Sequence, residues 1–471
     1  MRINHNSLAL NASDHFAKIN KNIAKSMERL SSGYKITSPA DDAAGLAIST
    51  RMSAQIRGLD RAALNSNDGV SVIQSAEGGL EEIHSILGRM RELSVQAAND
   101  VFAEEDRDSI QEEINALREE IDQIVDTTSF NEQKLLNGNL TRRSTSTNFD
   151  MQATYISSAV NEGVYELEVT VAATQATYTT GFSSSGATVT EDQAGSITVN
   201  GFSVEITAGM TMTEVYSELQ MHLAKIDVDV LASNDGGATE ADFETGAPVI
   251  FRTGEYGSNQ RIEIGIDNDN LAALLGVADE DVVYGTDCEA DITVSDDGFS
   301  TTATFTTLGN EIYVVDRNGF EMTVEIEPDS TGETEIEVLS AGTMVIQTGA
   351  NSGEQITIDI PEVSSKMLGV DNLIMYTHEY ASEAVSALDK ARERVSNIRS
   401  TLGAYENRLE DIFGNLEIQE ESITAAYSRI MDTDMAEEMT NYTQQDVLSQ
   451  AAISMMQRSN ERPESILQLL Q

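Results

Sequence analysis

The sequence predicts a multidomain α+β protein: a long α-helical coiled-coil bundle formed by the N- and C-terminal segments, with a β-rich insert in the middle. Three observations lead there. Apolar residues near the C-terminus recur in steps of three and four, at Ala384, Leu388, Ala391, Val395, Ile398, Leu402, Tyr405, Leu409, Ile412, Leu416, Ile423, Ala426 and Ile430, with Gln419 as the one polar break. The same rhythm runs near the N-terminus through Met52, Ile56, Leu59 and Ala63, then Val70 and Ile73, then Leu80, Ile83, Leu87 and Met90, and again at Ile110, Ile114, Leu117, Ile121 and Ile124. Such a seam needs a partner helix, so the two ends of the chain are expected to pack together. Between about 141 and 343 the pattern changes to period two, with Asn-Gly turns and a rise in Thr, Ser, Gly and Val.

The elements follow in order. Phe16, Ile19, Ile23, Met27 and Leu30 form a helical stripe that Gly33 can stop. Ser38-Pro39 reads as a turn, and Asp41 or Asp42 can cap the next helix. That helix, from about 43 to 99, would be roughly 85 Å long at 1.5 Å per residue. Gly69, Gly78 and Gly79 weaken it but allow close helix approach. A further helix fits 104 to about 128, with 130–138 as its exit.

In the middle, Ile197–Val199, Asn200-Gly201 and Phe202–Ile206 make a strong hairpin signal. Ile312–Val315 with Asn318-Gly319 and Phe320–Ile326 reads as a second hairpin, and Ile292–Val294 with Asp297-Gly298 as a third. Met212–Leu223 suits one short helix, and two lobes are expected to divide near Gly285. Residues 345–360 read as another hairpin, and the last long helix covers about 382–427. A final helix carries Leu448, Ala452 and Met455 on its stripe, then Pro463, and ends in an apolar tail with Ile466, Leu467, Leu469 and Leu470.

Composition excludes several classes. The formal net charge of -50 over 471 residues argues against nucleic acid and anionic membranes as partners, since both need a cationic surface. Cys288 is the only cysteine, so no intrachain disulfide forms. There is no apolar run of membrane-spanning length. The first residues lack the basic and apolar regions of a Sec-type signal peptide, leaving a cytosolic protein or one exported by a route that cleaves no signal. The five His residues (5, 15, 84, 222 and 378) have no metal-ligand spacing and no HExxH is present, so no catalytic residues, cofactor or metal are expected. Asp267-Asn268-Asp269-Asn270 lacks the full pattern of a calcium loop and reads as a solvated turn. Cys288 in acidic surroundings reads as an inert thiol.

The letters themselves carry a resemblance. ERLSSGYKITSPADDAAGLAISTRMSAQIRGL (Glu28 to Leu59), NSNDGVSVIQSAEGGL (Asn65 to Leu80), RMRELSVQAAN (Arg89 to Asn99) and TSFNEQKLLNG (Thr128 to Gly138) closely resemble the N-terminal region of bacterial flagellins. Ser428 to Leu470 resembles their C-terminus, so about 1–140 and 345–471 are covered. The resemblance implies a polymerising filament subunit whose middle is variable. It assigns 1–42 and 431–471 to an inner coiled-coil domain, 43–140, 344–370 (a hairpin) and 371–430 to a rod domain, and 141–343 to the outer insert. In many flagellins a hairpin like Gly349–Ile360 directly follows the N-terminal helices, whereas here it comes after the insert. Gly195 to Leu219 also looks like a motif of flagellin and hook-associated inserts.

By the same resemblance, polymerisation contacts fall on Phe16, Ile19, Ile23, Met27, Leu30, Leu448, Ala452, Met455, Ile466, Leu467 and Leu470. Arg89, Leu93, Gln96 and Glu113 match the positions by which flagellins touch the Toll-like innate immune receptor; their plainer role is lateral packing in the filament. Gly88 stands where the family usually has Gln. The Met-rich C-terminus (Met431, Met435, Met439, Met455, Met456) is coiled-coil core or an adaptable groove, and in flagellins an export chaperone wraps this segment. The implied partners are further copies of the chain, that chaperone, the filament cap and hook-associated proteins, and the Toll-like receptor; the implied route is flagellar type III export to the extracellular flagellum. Two alternatives stay open here: a flagellin-like hook–filament junction protein, which would not elongate alone on seeds, and a coiled-coil adhesin or signalling protein, whose ends would already be ordered in the free chain.

Overall fold

The computed structural model describes residues 6–99, 101–157, 159–182, 188–233, 243, 247–278, 281–295, 298–317, 319–339 and 342–469, without the side chains of 104 and 462–469. Its described helices are α1 (Ser7–Ser32), α2 (Ala43–Ala97), α3 (Glu104–Thr127), α4 (Met212–Leu223), α5 (Asp269–Leu275), α6 (Ser365–Leu368), α7 (His378–Met431) and α8 (Met435–Leu469). None is long and apolar enough to cross a membrane. The chain divides into two compact units: one of Met1–Gly69, Gln347–Ile356 and Arg408–Gln471, the other of Val70–Ile346 and Thr357–Asn407. Helices α2 and α7 each contribute to both.

In the first unit, α1 starts where Asn6 Oδ1 accepts from the Ala9 N–H at 3.2 Å. It stops at Gly33, whose φ of 74° suits a residue without Cβ and whose N–H donates to the Arg29 carbonyl. The two candidate caps of α2 divide the work. Asp42 accepts from the N–H groups of Ala44 and Gly45 at 3.1 and 2.9 Å, whereas Asp41 turns back to the loop, accepting from Thr37 and Ser38 and pairing with Lys25 at 2.5 Å. The Lys25 ammonium holds the Asp41 carboxyl well below the usual carboxylate range, helped by the Ser38 and Thr37 donors against the opposing effect of burial. A small core joins Leu59, Ala62 and Ala63 of α2 to Leu416 of α7, with Ala350 at the tip of the 345–360 hairpin beside it. A Cβ on Gly58 would lie 2.9 Å from that of Ala350, so the hairpin tip requires glycine there. The two helix breaks are joined: Lys35 N–H donates to the Met431 carbonyl at 2.6 Å, and Thr433 N–H to the Gly33 carbonyl at 2.9 Å.

In the second unit the heptad positions become the core of a bundle. Leu80, Ile83, Leu87 and Met90 of α2, Ile121 of α3, and Leu388, Ala391 and Val395 of α7 are all fully buried. Arg91–Asp389 at 2.6 Å and Arg399–Glu77 at 2.7 Å join α2 to α7. The first pair is exposed and the second part-buried, so they fix register more than they add stability. Buried Gln111 of α3 is satisfied on both sides, donating to the Leu373 carbonyl and accepting from the Met375 N–H, each at 2.8 Å.

The insert has two hydrophobic cores. One, here the contiguous lobe, takes its buried residues from 176 to 277; the other, the split lobe, takes them from 151–173 and 288–338. Thus the cores part near Gly285, and they part again near 174, because the first strands of the insert pair with its last. The contiguous lobe holds the sheet Asp281–Tyr284, Arg261–Ile266, Gly195–Val199, Phe202–Ile206, in that order, with α4 packed on its core. Asn200 and Gly201 both have positive φ (51° and 78°) and close the expected two-residue hairpin, with Val199 opposite Phe202. The split lobe has two four-stranded sheets, one ordered Glu289–Thr293, Gly163–Val171, Gly332–Leu339, Arg143–Ser146.

Of the other two expected hairpins, the first forms and the second does not. Glu311–Val315 pairs with Glu321–Ile326, but the loop is longer than two residues, since Asp316 N–H donates to the Phe320 carbonyl; Asn318 lies outside the described residues. Glu289–Thr293 pairs with Gly163–Val171 rather than with a following strand, and Val294 makes only one parallel bridge, to Phe299; Asp297 lies outside the described residues. A distant partner outcompetes the local turn there. Met344–Gln347 and Gln355–Ile358 do pair as the expected hairpin.

Candidate functional site

The terminal helices α1 and α8 pack antiparallel: Asn6 Nδ2 donates to the Ser459 carbonyl at 2.9 Å, Ser449 lies 3.5 Å from Asn20, and Arg29 lies 3.6 Å from Glu438. On α1 the facing positions are Ala9, Ala12, Phe16, Ile19, Ile23, Ser26 and Leu30, a strict three–four alternation. On α8 they are Glu438, Tyr442, Gln445, Ser449, Ala452, Met456 and Ser459. Only three of these are buried, and all three are polar: Ser26, Glu438 and Ser449.

Of the expected polymerisation residues, Phe16, Ile19, Ile23, Leu30 and Ala452 are half-buried in this seam. Met27, Leu448 and Met455 are not in it; they are 54%, 43% and 65% exposed, with Ser26 in the seam position next to Met27. Leu8, Leu10, Met439, Val447 and Ile453 extend the exposed apolar surface of the same two helices. The side chains of Ile466 and Leu467, and all of Leu470, lie outside the described residues. Ser26, Glu438 and Ser449 carry no apolar signal in the sequence; the alternating step, continued through polar residues, reaches them.

On α2, Arg89 is exposed and its guanidinium holds Glu113 of α3 at 2.8 and 3.0 Å, with Glu92 at 3.4 Å. The Glu113 carboxylate, then Glu92, pushes the already high Arg89 pKa further up. Gln96 is exposed, and so is Val95, at 50%. Leu93 is 2% exposed: it belongs to the bundle core and presents no surface. A Cβ on Gly88 would meet nothing within 4 Å, so a side chain fits there without displacing a neighbour.

Among the described residues, no cluster of three or more His, Cys, Asp or Glu could hold a metal ion. Asp267–Asn270 is engaged in structure: Asp267 accepts from the Ser196 N–H at 2.8 Å and Asn268 caps α5. Burial, then the neighbouring Asp287 charge, pushes the Cys288 thiol up to about 11, which removes thiolate reactivity.

Residues 3–141 match the family model of the bacterial flagellin N-terminal helical region, and residues 385–470 match that of the C-terminal helical region. The chain is 33% identical over 465 residues to a flagellin of Clostridium tyrobutyricum, covering 98% of this chain and 100% of the relative. It is 30% identical over 477 residues to flagellin D of Vibrio anguillarum (100% and 99% covered) and 30% identical over 472 residues to a flagellin of Bacillus subtilis strain 168 (100% of each). The chain belongs to the bacterial flagellin family, the non-enzymatic structural subunits of the extracellular flagellar filament that serves motility.

Proposed function

We propose that the chain polymerises through the outward face of its terminal helix pair, which forms the inner tube of the filament. One observation carries this reading: the α1–α8 seam spends its three most buried positions on Ser26, Glu438 and Ser449 while Leu8, Leu10, Met439, Leu448 and Met455 stay exposed. Burial of apolar area is what holds helices together, so a pair arranged this way is incomplete until other copies cover it. Contacts of this kind are heterologous and repeat along an open helix. Residues 1–42 and 431–471 then form the inner domain, 43–140 and 344–430 the rod, and 141–343 the acidic outer face. Assembly is tested by deleting residues 432–471 and seeding growth under electron microscopy. The shortened chain is expected to fold and fail to elongate; long filaments from it would refute the reading.

The remaining roles rest on the family resemblance together with surface placement. Export proceeds by the flagellar type III route, with a chaperone on the C-terminal segment, and the growing filament meets cap and hook-associated proteins. The Toll-like receptor surface of the free monomer comprises Arg89, Gln96 and Glu113; their exposure supports it, and buried Leu93 acts there through packing. In a receptor reporter assay Arg89→Ala should weaken the response while leaving thermal stability nearly unchanged, because an exposed ion pair adds little to folding. An unchanged response would remove this surface from the proposal.

A further inference from the structure

The two lobes of the insert have separate hydrophobic cores, so something other than a shared core must set the angle between them. The chain passes from the split lobe into the contiguous lobe near Thr174 and returns near Thr286. These passages are bonded to each other: Thr174 N–H donates to the Thr286 carbonyl at 2.9 Å, and Thr286 N–H returns the bond at 3.1 Å. Such a two-passage neck would by itself bend freely.

At the neck, three backbones come together at glycines. A Cβ on Gly257 would lie 2.6 Å from Gly309 Cα, and a Cβ on Gly285 would lie 2.5 Å from the carbonyl oxygens of both Gly257 and Thr174. Gly257 is in a loop of the contiguous lobe; Gly309 is in the turn between Thr304–Leu308 and Glu311–Val315 of the split lobe. The Asp287 carboxylate sits across this crossing. Its Oδ1 accepts from the Ser258 N–H at 2.9 Å and from the Gly309 N–H at 2.8 Å, and its Oδ2 accepts from the Ser258 hydroxyl at 2.5 Å. One carboxylate therefore holds a donor from each lobe, in charge-assisted bonds. Tyr256, beside it, lays its ring against the split lobe's core.

We infer that Asp287 is a clamp that fixes the contiguous lobe on the split lobe and makes the insert one rigid arm. Its bonds serve the joint between the cores rather than either core, so its removal loosens the angle and leaves both lobes folded. Besides the clamp, each lobe touches residues 366–394, Glu325 pairing with Lys366 and Arg261 with Glu379, and none of these contacts depends on how the terminal helices assemble.

The test uses the full-length monomer with a pair of spin labels on Ser217→Cys and Glu335→Cys, one exposed position in each lobe. Cys288 is 1% exposed and stays unlabelled. Asp287→Ala and Asp287→Asn are compared with the parent in distance distribution and calorimetry. The parent is expected to give one narrow interlobe distance. Asp287→Ala is expected to lose it and to split the insert's thermal transition into two, with Asp287→Asn in between because it keeps one acceptor oxygen. An unchanged narrow distance in both variants would overturn the proposal. So would unfolding of either lobe in both, since Asp287 would then serve a core and not a joint.

Discussion

Leu448 and Met455 stand seven residues apart on one stripe of α8 and are 43% and 65% exposed in the single chain. If that stripe is covered by neighbouring subunits, truncating both to Ala weakens the filament in a way that monomer stability does not register. Full burial of a Leu or Met side chain contributes about 1.5–3 kcal/mol. Scaled by the exposed fractions, the part still available for burial on assembly is about 1 kcal/mol for Leu448 and about 1.5 kcal/mol for Met455. The portion already buried within the chain is lost from monomer and filament alike and cancels. Ala keeps the helix, so propensity does not confound the comparison. At about 1.4 kcal/mol per factor of ten, the critical concentration for seeded growth should rise about sixtyfold. Sedimentation of filaments over a concentration series reads this directly. A critical concentration within about threefold of the parent would refute the reasoning, since it corresponds to less than about 0.7 kcal/mol.

Leu388→Ala, at a fully buried position of the α2–α3–α7 bundle, should cost about 2–5 kcal/mol in denaturant unfolding of the rod. Glu168 lies directly opposite both Asp291 and Glu333, and Glu166 opposite Glu335, on the solvent face of a split-lobe sheet. Glu168→Gln should therefore raise the lobe's thermal stability by a few tenths to about 1 kcal/mol at low salt, with the gain shrinking as salt is added. Burial, then the charges of Arg392 and Arg399, hold the His84 imidazole below its ordinary value. The unfolded chain then binds this proton first as pH falls, so the contribution is full above the ordinary His value and is lost between that value and the lower folded one. Stability of the rod, followed by circular dichroism, should decline with acid through that window, and His84→Gln should flatten the decline.

Much of this fold is legible in local periodicity. The heptads of α7, from Ala384 to Ile430, fall on buried or half-buried positions, and the polar break at Gln419 is exposed. Asn200-Gly201 and the helix Met212–Leu223 stand where their turn chemistry and apolar spacing place them. What local pattern cannot supply is the identity of a distant partner. Ile292 pairs with Leu167 across the insert, and this is why the first strands of the insert join its last and the lobes divide twice. The stripe of α8 meets a different physical limit. Leu448 and Met455 are apolar, yet the single chain does not bury them; their chemistry fits burial against other copies, which no intrachain contact reveals. The resemblance places Leu93 on a surface, but its position one turn below Ala97 and one above Met90 is that of a core residue.

Methionine oxidation offers the sharpest test that the terminal helices complete their packing only in the assembled filament. Met27, Met439 and Met455 are 54%, 51% and 65% exposed, while Met90 and Met431 are 0% and 7% exposed. Peroxide converts accessible methionine to the sulfoxide, and mass spectrometry of the peptides gives a rate for each site in monomer and in filament. The account predicts rapid oxidation of Met27, Met439 and Met455 in the monomer, strong protection of all three in the filament, and slow oxidation of Met90 in both. Equal rates for those three methionines in the two states would contradict it.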